Sequence, residues 1–301
     1  MAFAGERLVQ SLMRISKFLG WREFIVAFFA VAFGASLPDL LVGITAAING
    51  IPELSFGDVI SGNVIDLTLA IALTVLISGS SIEAESKLVQ KSALFTAVIA
   101  ILPLFLVLDG ALSRGDGAVL ILAFIFYTVW VFSRSERFHK IYDGMRNLTL
   151  KDFFSDLGII IASLVLIILA SYGIVKTAVF LGSSLNMPLI LIGILIVALG
   201  NALPETYFAI VSARREQNWM VLGDLMGSII SCATVVLVTV AIIHPIKVVN
   251  LPSVAIARLF LIIAAAFFLF FTLSGKRITK REAVFLFAVY LLFIAIEVMI
   301  V

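Results

Sequence analysis

The segment GASLPD at residues 34–39 returns as GNALPE at residues 200–205, an offset of 166 positions. The same offset maps Gly57 and Asp58 onto Gly223 and Asp224, without an insertion or deletion between the two motifs. In a chain this apolar, leucine matches leucine by chance. A second copy of Gly-x-x-x-Pro-acid in the same register is not expected by chance. The chain has only seven prolines, and two of them fall in register. We therefore infer an internal repeat.

Apolar residues make up 62% of the 301-residue chain and charged residues only 13%, with a mean hydropathy of +1.19. A soluble globular protein carries roughly 45–50% apolar and about 25% charged residues. The composition therefore excludes a cytosolic enzyme, a nucleic-acid-binding protein and a disordered protein. A single cysteine excludes a disulfide framework, and two histidines are too few for a histidine-built zinc centre. The sequence predicts a polytopic membrane protein.

Nine stretches are long and apolar enough to cross a membrane, which takes about 20 residues in a helix. The longest connector, residues 134–154, is charged and too short to fold alone. Residues 1–20 combine scattered charges with apolar residues at helical spacing, which predicts a basic amphipathic helix on the membrane surface rather than a cleaved signal. The predicted spans are residues 24–49, 55–79, 90–108, 116–133, 155–181, 187–213, 219–244, 253–274 and 281–301.

The basic residues indicate how these spans are oriented. If successive spans cross the membrane in alternating directions, seventeen Lys and Arg residues lie on the side of the N-terminus and four lie on the other side. Cytoplasmic loops carry an excess of Lys and Arg. We therefore expect an N-terminal segment that is cytoplasmic or interfacial, a cytoplasmic connector and a C-terminus outside, in the cell membrane of a prokaryote.

The repeat divides the chain into residues 1–133 and residues 155–301, joined by the connector 134–154. Between Asp39 and Glu205 the predicted chain crosses the membrane an odd number of times, so the halves have opposite orientations. Residues 155–166 have no upstream counterpart at the offset. We predict an all-α polytopic membrane protein with two inverted-topology repeats of about five helices, the first helix of repeat one being truncated. Such repeats are typical of secondary transporters, whose binding site lies near the midplane.

Three acidic residues lie well inside predicted spans: Asp39, Asp66 and Glu205. A charged group at that depth costs about 3 kcal/mol even on the milder insertion scales. None of the three has a Lys or Arg within its own span. A protonated, hydrogen-bonded carboxyl group is the alternative for each of them singly, but a cation from solution is the natural partner of all three.

Prolines precede two of these acids. Pro38 and Pro204 lack the N–H group that would bind the carbonyl oxygen four residues earlier, which belongs to Gly34 and Gly200. Each predicted kink therefore offers a free carbonyl oxygen one turn from an acid, and hard cations prefer carboxylate and carbonyl oxygen. An ordinary proline kink, which is common in membrane helices, is the other interpretation.

The helix after each Pro-acid motif carries a stripe at positions i, i+4 and i+8. Asp58 and Asp224 begin the two stripes and are interpreted either as acids on a cation access path or as helix-start residues favoured by the helix dipole. Ser36, Asn63 and Asn201 offer further oxygen, although such residues often bond helix to helix. The stripes are Asp58, Gly62 and Asp66 in the first half, and Asp224, Ser228 and Cys232 in the second, where Cys232 is interpreted as a packed core thiol.

These motifs resemble the calcium/cation antiporter superfamily, best known through sodium/calcium exchangers. Members typically carry G-T-S-x-P-E and then G-[ST]-x-x-G-S, with Asn or Asp four residues past the Ser. The resemblance covers nearly the whole chain. It implies ten helices, Asp39 and Glu205 as ligands of the transported ions, and Asp66 and Cys232 facing those ions. It also implies alternating access by sliding of the first and sixth helices.

The departures from the family pattern concern the ligands. Ala35, Gly62 and Ala202 stand where sodium/calcium exchangers usually carry Thr or Ser oxygens. Cys232 stands where many members carry Asn or an acid. The pair Gly200–Asn201 and the segment GSIIS at residues 227–231 are instead similar to cation/proton exchangers of the same superfamily.

The expected function is antiport of calcium, or a similar divalent cation, in exchange for sodium. The alternatives are a calcium/proton exchanger, a passive cation channel and a non-transporting homologue. We expect no resident cofactor and no enzymatic activity, with inorganic cations and the lipid bilayer as partners; the oligomeric state stays open. The candidate metal ligands are Asp39, Asp66, Glu205, Ser36, Asn63, Gly34, Gly200, Asn201, Ser228 and Cys232, with Asp58 and Asp224 on the ion path.

Overall fold

A computed structural model describes residues 7, 10–11, 14–15, 33–133, 149–214, 218–248 and 252–300. From residue 33 onward the described part consists of nine helices and four two-residue strands. Helices α1 to α9 are Phe33–Ile48, Pro52–Ser78, Lys87–Leu106, Arg114–Ser133, Leu150–Leu185, Leu189–Arg214, 218–243, Pro252–Ser274 and Lys280–Ile300. Strands β1 to β4 are Ile82–Glu83, Ala111–Leu112, Ile246–Lys247 and Arg277–Ile278, and a 3-10 turn, Val107–Asp109, follows α3.

Eight of the described helices, α2 to α9, are long and apolar enough to cross a membrane. They coincide with the last eight stretches predicted from the sequence, which confirms an all-α polytopic membrane protein. Helix α1 covers the end of the first predicted stretch, residues 24–49, and its apolar part is shorter, Ser36–Ile48. Residues 24–32 lie outside the described part.

The N-terminal segment is described only at five positions, and all five are helical. Arg14 donates from Nε to both carboxylate oxygens of Asp156 in α5, at 3.0 Å each, and the Ser11 hydroxyl donates to the same carboxylate. These contacts attach the segment to the beginning of α5. The predicted truncation of the first helix falls on residues outside the described part, as does most of the connector.

Local signals explain where several helices begin and end. Pro52 begins α2 at a position where its missing N–H costs nothing, and Gly79 ends the helix in the left-handed conformation. Thr149 and Asp152 form a capping box, so α5 begins at Leu150, inside the range assigned to the connector. Asn186 ends α5 with a φ of 54°.

The sequence repeat has a counterpart in the helix bounds. Segment Pro52–Ile65 of α2 maps at the offset of 166 onto Asn218–Ser231 of α7. Each segment is followed by a π-helical turn, Asp66–Ala70 in α2 and Cys232–Val236 in α7. A third π-helical turn, Gly193–Val197, lies in α6. Such turns are rare and are found frequently at functional sites.

The strands pair across the two halves. Strand β1 pairs with β4, and β2 pairs with β3, both antiparallel. Helix α3 separates β1 from β2, and α8 separates β3 from β4, so β1 and β3 lie at opposite ends of the bundle. Because β1 and β3 follow the equivalent helices α2 and α7, this arrangement is the one expected of an inverted repeat. The β1–β4 pair joins two loops that the distribution of Lys and Arg places on one membrane face. The β2–β3 pair joins two loops that the same distribution places on the other face.

Two glycines let α2 and α6 cross closely. A Cβ at Gly57 would collide with the carbonyl oxygen of Ile190, and a Cβ at Gly193 would collide with the carbonyl oxygen of Leu54. The Ser61 hydroxyl, one turn along α2, donates to the carbonyl oxygen of Ile194 at 2.8 Å. This crossing brings the acidic stripe of α2 against the helix that carries the second Pro-acid motif.

Candidate cation site

A small cavity lies between α1, α2, α6 and α7. Both halves of the chain contribute to its wall, and the wall contains four carboxyl groups. Among the described residues no Lys, Arg or His lines it. The lining residues are Asp39 from α1, Asp58, Val59, Gly62, Asn63 and Asp66 from α2, Ala198, Asn201, Ala202 and Glu205 from α6, and Ser228 and Cys232 from α7.

Most of the residues singled out in the sequence meet in this cavity. Those that do are Asp39, Asp58, Asn63, Asp66, Asn201, Glu205, Ser228 and Cys232. Ser36 is buried in α1 and Gly200 is exposed on α6, and neither is on the described wall. The surroundings of Gly34 lie outside the described part. Asp224 is buried in α7, also off the described wall.

The acids of the two Pro-acid motifs both reach α7. Pro38 and Pro204 lie inside their helices, and the acid that follows each of them lines the cavity. The Cys232 thiol donates to Oδ2 of Asp39, with a sulfur–oxygen distance of 3.1 Å. The Ser228 hydroxyl donates to Oε1 of Glu205 at 2.7 Å. Helix α7 therefore positions an acid from each half of the chain.

Helix α6 positions a third acid. The Asn201 side-chain amide donates to Oδ2 of Asp58 at 3.0 Å, across the close contact of α2 with α6. Asp58 lies beyond the first turn of α2 and is 3% exposed, so it is not a residue at the helix start. Asp224 likewise lies beyond the first turn of α7 and is 4% exposed.

Two polar groups on the cavity wall are left without partners. Oδ1 of Asp66 and Nδ2 of Asn63 are buried and have no hydrogen-bond partner within the described part of the chain. Their residues are 3% and 1% exposed. A buried polar group without a partner costs about 1–3 kcal/mol. A bound cation would be the missing partner of the Asp66 oxygen. A water molecule, free or bound to that cation, would accept a hydrogen bond from the Asn63 amide.

The arrangement suits a cation that draws its ligands from several kinds of oxygen. Within the described residues no three His, Cys, Asp or Glu side chains converge on one point. A calcium-like ion takes 6–8 oxygen ligands in a flexible geometry, including amide oxygens and water. An ion here would therefore add oxygen from Asn63, Ser228 and water to the carboxylates.

One family model and several known proteins are similar to this chain. A family model described as sodium/calcium exchanger protein matches residues 1–133 and 155–299. The inner membrane protein YrbG of Escherichia coli strain K12 is 23% identical over 254 residues, which cover 81% of this chain and 77% of YrbG. The sodium/calcium exchanger MaX1 of Methanosarcina acetivorans is 23% identical over 326 residues, which cover 96% of this chain and 92% of MaX1.

A similar solved structure is that of the sodium-calcium exchanger NCX_Mj. It superposes with a TM-score of 0.69 at 23% sequence identity, covering 97% of this chain and 93% of that protein. At this level of identity the likeness shows a shared fold.

Proposed function

The chain belongs to the sodium/calcium exchanger family, and from that premise we propose that it moves calcium, or a similar divalent cation, across the membrane in exchange for sodium. Membership makes it an integral membrane transporter of inorganic cations. The observation that supports the choice of ion is the cavity between the two halves, where four carboxyl groups lie without a basic side chain among the described residues.

Charge balance favours a divalent ion over a single monovalent one. Several carboxylates removed from water cost a large desolvation energy unless a counter-charge accompanies them. One calcium ion brings two positive charges into a cavity whose wall includes Asp39, Asp66 and Glu205. Asn63 and Ser228 line the same cavity and offer the neutral oxygen that hard cations also accept.

We assign to helix α5 the motion that opens the cation site first to one side of the membrane and then to the other. Only 22% of the apolar stretch of α5 is buried, as in α4, against 72% for α2 and α7. It packs along α1, and the hydroxyl groups of Thr45 and Ser171 lie 3.3 Å apart across that contact. A peripheral helix with few packed neighbours slides at a lower cost than the buried helices α2 and α7, which hold the ligands.

Calcium/proton exchange is the second candidate. Gly62 and Ala202 line the cavity, so two positions where the resemblance leads us to expect a hydroxyl offer no oxygen ligand for sodium. Crowded carboxyl groups bind protons when the metal ion leaves. This observation favours a proton over sodium as the counter-ion without changing the place of the cation site.

Uptake of radiolabelled calcium into proteoliposomes tests the proposal. We expect uptake under an outward sodium gradient, little uptake under an outward proton gradient, and none when both gradients are absent. Uptake under the proton gradient alone would establish the second candidate. Uptake without a counter-ion gradient would indicate a channel, and no uptake in any condition would contradict antiport of calcium. The Glu205→Gln variant is the negative control. The Glu85→Gln variant makes the same substitution at an exposed position and is the matched control.

A further inference from the structure

The only cysteine of the chain, Cys232, lies in the wall of the cation cavity. It is 5% exposed, and its sulfur contacts Oδ2 of Asp39 at 3.1 Å. It is also the first residue of the π-helical turn in α7, and the offset of 166 maps it onto Asp66, the first residue of the π-helical turn in α2. A sulfur atom therefore stands where the other half of the cavity has a carboxylate.

A carboxylate oxygen and an amide donor without partners lie in the same cavity, independently of the cysteine. Oδ1 of Asp66 and Nδ2 of Asn63 have no hydrogen-bond partner in the part of the chain that the structure describes. Both residues are more than nine-tenths buried and line the cavity. The Cys232 side chain packs partly against the apolar core, but its sulfur contacts the Asp39 carboxyl group and lines a cavity that also contains carboxyl and amide groups.

The donor set determines which divalent ions such a cavity favours. Calcium and magnesium select oxygen ligands, while sulfur selects softer ions such as zinc. A sulfur next to a carboxylate therefore adds affinity for a soft cation and adds nothing for calcium. Both donors of this pair already face each other across α1 and α7.

We propose that Cys232 and Asp39 form a sulfur–oxygen clamp through which the cation site accepts a soft divalent cation, cadmium or zinc, in preference to calcium. The metal ion displaces the thiol proton, so that one Cys232 thiol and one M²⁺ give a Cys232–S–M⁺ group and one H⁺ released to water, with no electron transferred. This inference rests on the proposed function, because it assigns a substrate class to the same site.

The first test uses the purified wild-type protein and cadmium as the probe. A thiolate bound to cadmium has a charge-transfer absorption in the ultraviolet, and the chain has one cysteine to produce it. We expect the band to appear and to saturate at one cadmium ion per chain. Absence of the band at cadmium concentrations that saturate binding would overturn the proposal.

The second test compares selectivity between variants in proteoliposomes. We measure how much cadmium halves calcium uptake, relative to the calcium concentration that half-saturates it. Cys232→Ser should lower the preference for cadmium about tenfold, which is about 1.4 kcal/mol, and Cys232→Asp should lower it further in favour of calcium. Ser231→Ala changes a buried neighbour off the described cavity wall and should leave the preference unchanged. An unchanged preference in both Cys232 variants would overturn the proposal.

The two tests separate this inference from the function on which it rests. If the wild-type protein takes up no calcium but shows the cadmium band, the proposed calcium antiport is wrong and the clamp stands. If calcium uptake is normal and the band is absent, the clamp is wrong and antiport stands. The band is measured on the wild-type protein, so it decides the question even where a Cys232 variant does not fold.

Discussion

Asp66 and Cys232 occupy equivalent places in the two halves of the molecule, yet one is a carboxylate and the other a thiol. Around them the backbone is repeated closely. Thr68 donates to the carbonyl oxygen of Val64, and Thr234, at the same offset, donates to that of Ile230. The comparison teaches that the two halves keep one backbone, with its π-helical turns, while the side chains that face the cavity have diverged.

A second equivalent pair differs in the same way. Asp58 lines the cavity and accepts a hydrogen bond from Asn201. Asp224, its equivalent, is off the described wall, and its Oδ2 has no partner among the described residues. The position equivalent to Asn201 in the first half is Ala35, which has no amide to donate. The cavity is thus asymmetric, with more carboxyl groups from the first half and more neutral donors from the second.

Removing the acid of either Pro-acid motif should have the largest effect, because both halves are needed to hold the cation. Asp39→Asn and Glu205→Gln should each lower calcium uptake by about 100-fold or more, since even outer-shell changes cost 10–100-fold in metal affinity. Uptake into proteoliposomes is the measurement, with the exposed Glu85→Gln as the matched control. If one variant keeps wild-type uptake, the cation site belongs to one half alone.

The carboxylate and the thiol at the equivalent positions should not matter equally for calcium. Asp66→Asn should lower calcium affinity about tenfold, while Cys232→Ser should leave it unchanged or raise it slightly, since calcium selects oxygen over sulfur. The half-saturating calcium concentration of uptake measures both effects. Equal losses in the two variants would show that sulfur and carboxylate serve calcium alike, against our account of the asymmetry.

The repeated glycines Gly57 and Gly223 offer a comparison of packing. A Cβ at Gly57 would collide with the backbone of α6, whereas a Cβ at Gly223 meets no atom of another described element within 4 Å. Gly57→Ala should destabilise the protein by about 1–3 kcal/mol through overpacking, and Gly223→Ala should be neutral or stabilising by up to about 1 kcal/mol because alanine favours helices. Thermal unfolding in detergent distinguishes them. Matching melting temperatures would contradict the close crossing of α2 and α6.

The smallest effect is expected at the amide that positions Asp58. Asn201→Ala removes one hydrogen bond, which is worth about 0.5–1.5 kcal/mol, so calcium uptake should fall by a few-fold. Asn49→Ala removes an exposed amide that bonds only within the end of α1 and serves as the control. A loss as large as that of Glu205→Gln would mean that Asn201 is itself a principal ligand.

The sequence was sufficient for the membrane architecture and for most of the cavity wall. Burying an acid in a membrane helix is costly, so Asp39, Asp66 and Glu205 stand out from composition and position alone. The i, i+4, i+8 spacing placed Asp58, Gly62 and Asp66 on one helix face, and all three line the cavity.

Other features depend on which helices pack together, and spacing along one helix carries no such information. The second stripe includes Asp224, which lies off the described wall, because helical spacing defines a face but not what covers it. The Cys232–Asp39 contact joins residues far apart in the chain. Gly193 was missed altogether, since its role appears only where α6 meets the backbone of Leu54 in α2.

The central claim is that acids from both halves share one cation, and a double-mutant cycle on calcium binding tests it most directly. Calcium binding to the purified protein is measured for the wild type, Asp39→Asn, Glu205→Gln and the double variant. Residues that share a ligand are coupled, whereas independent sites give additive effects. We predict that each single variant loses most of the calcium binding and that the double variant loses little more. Additive losses, or full binding in either single variant, would contradict a shared site.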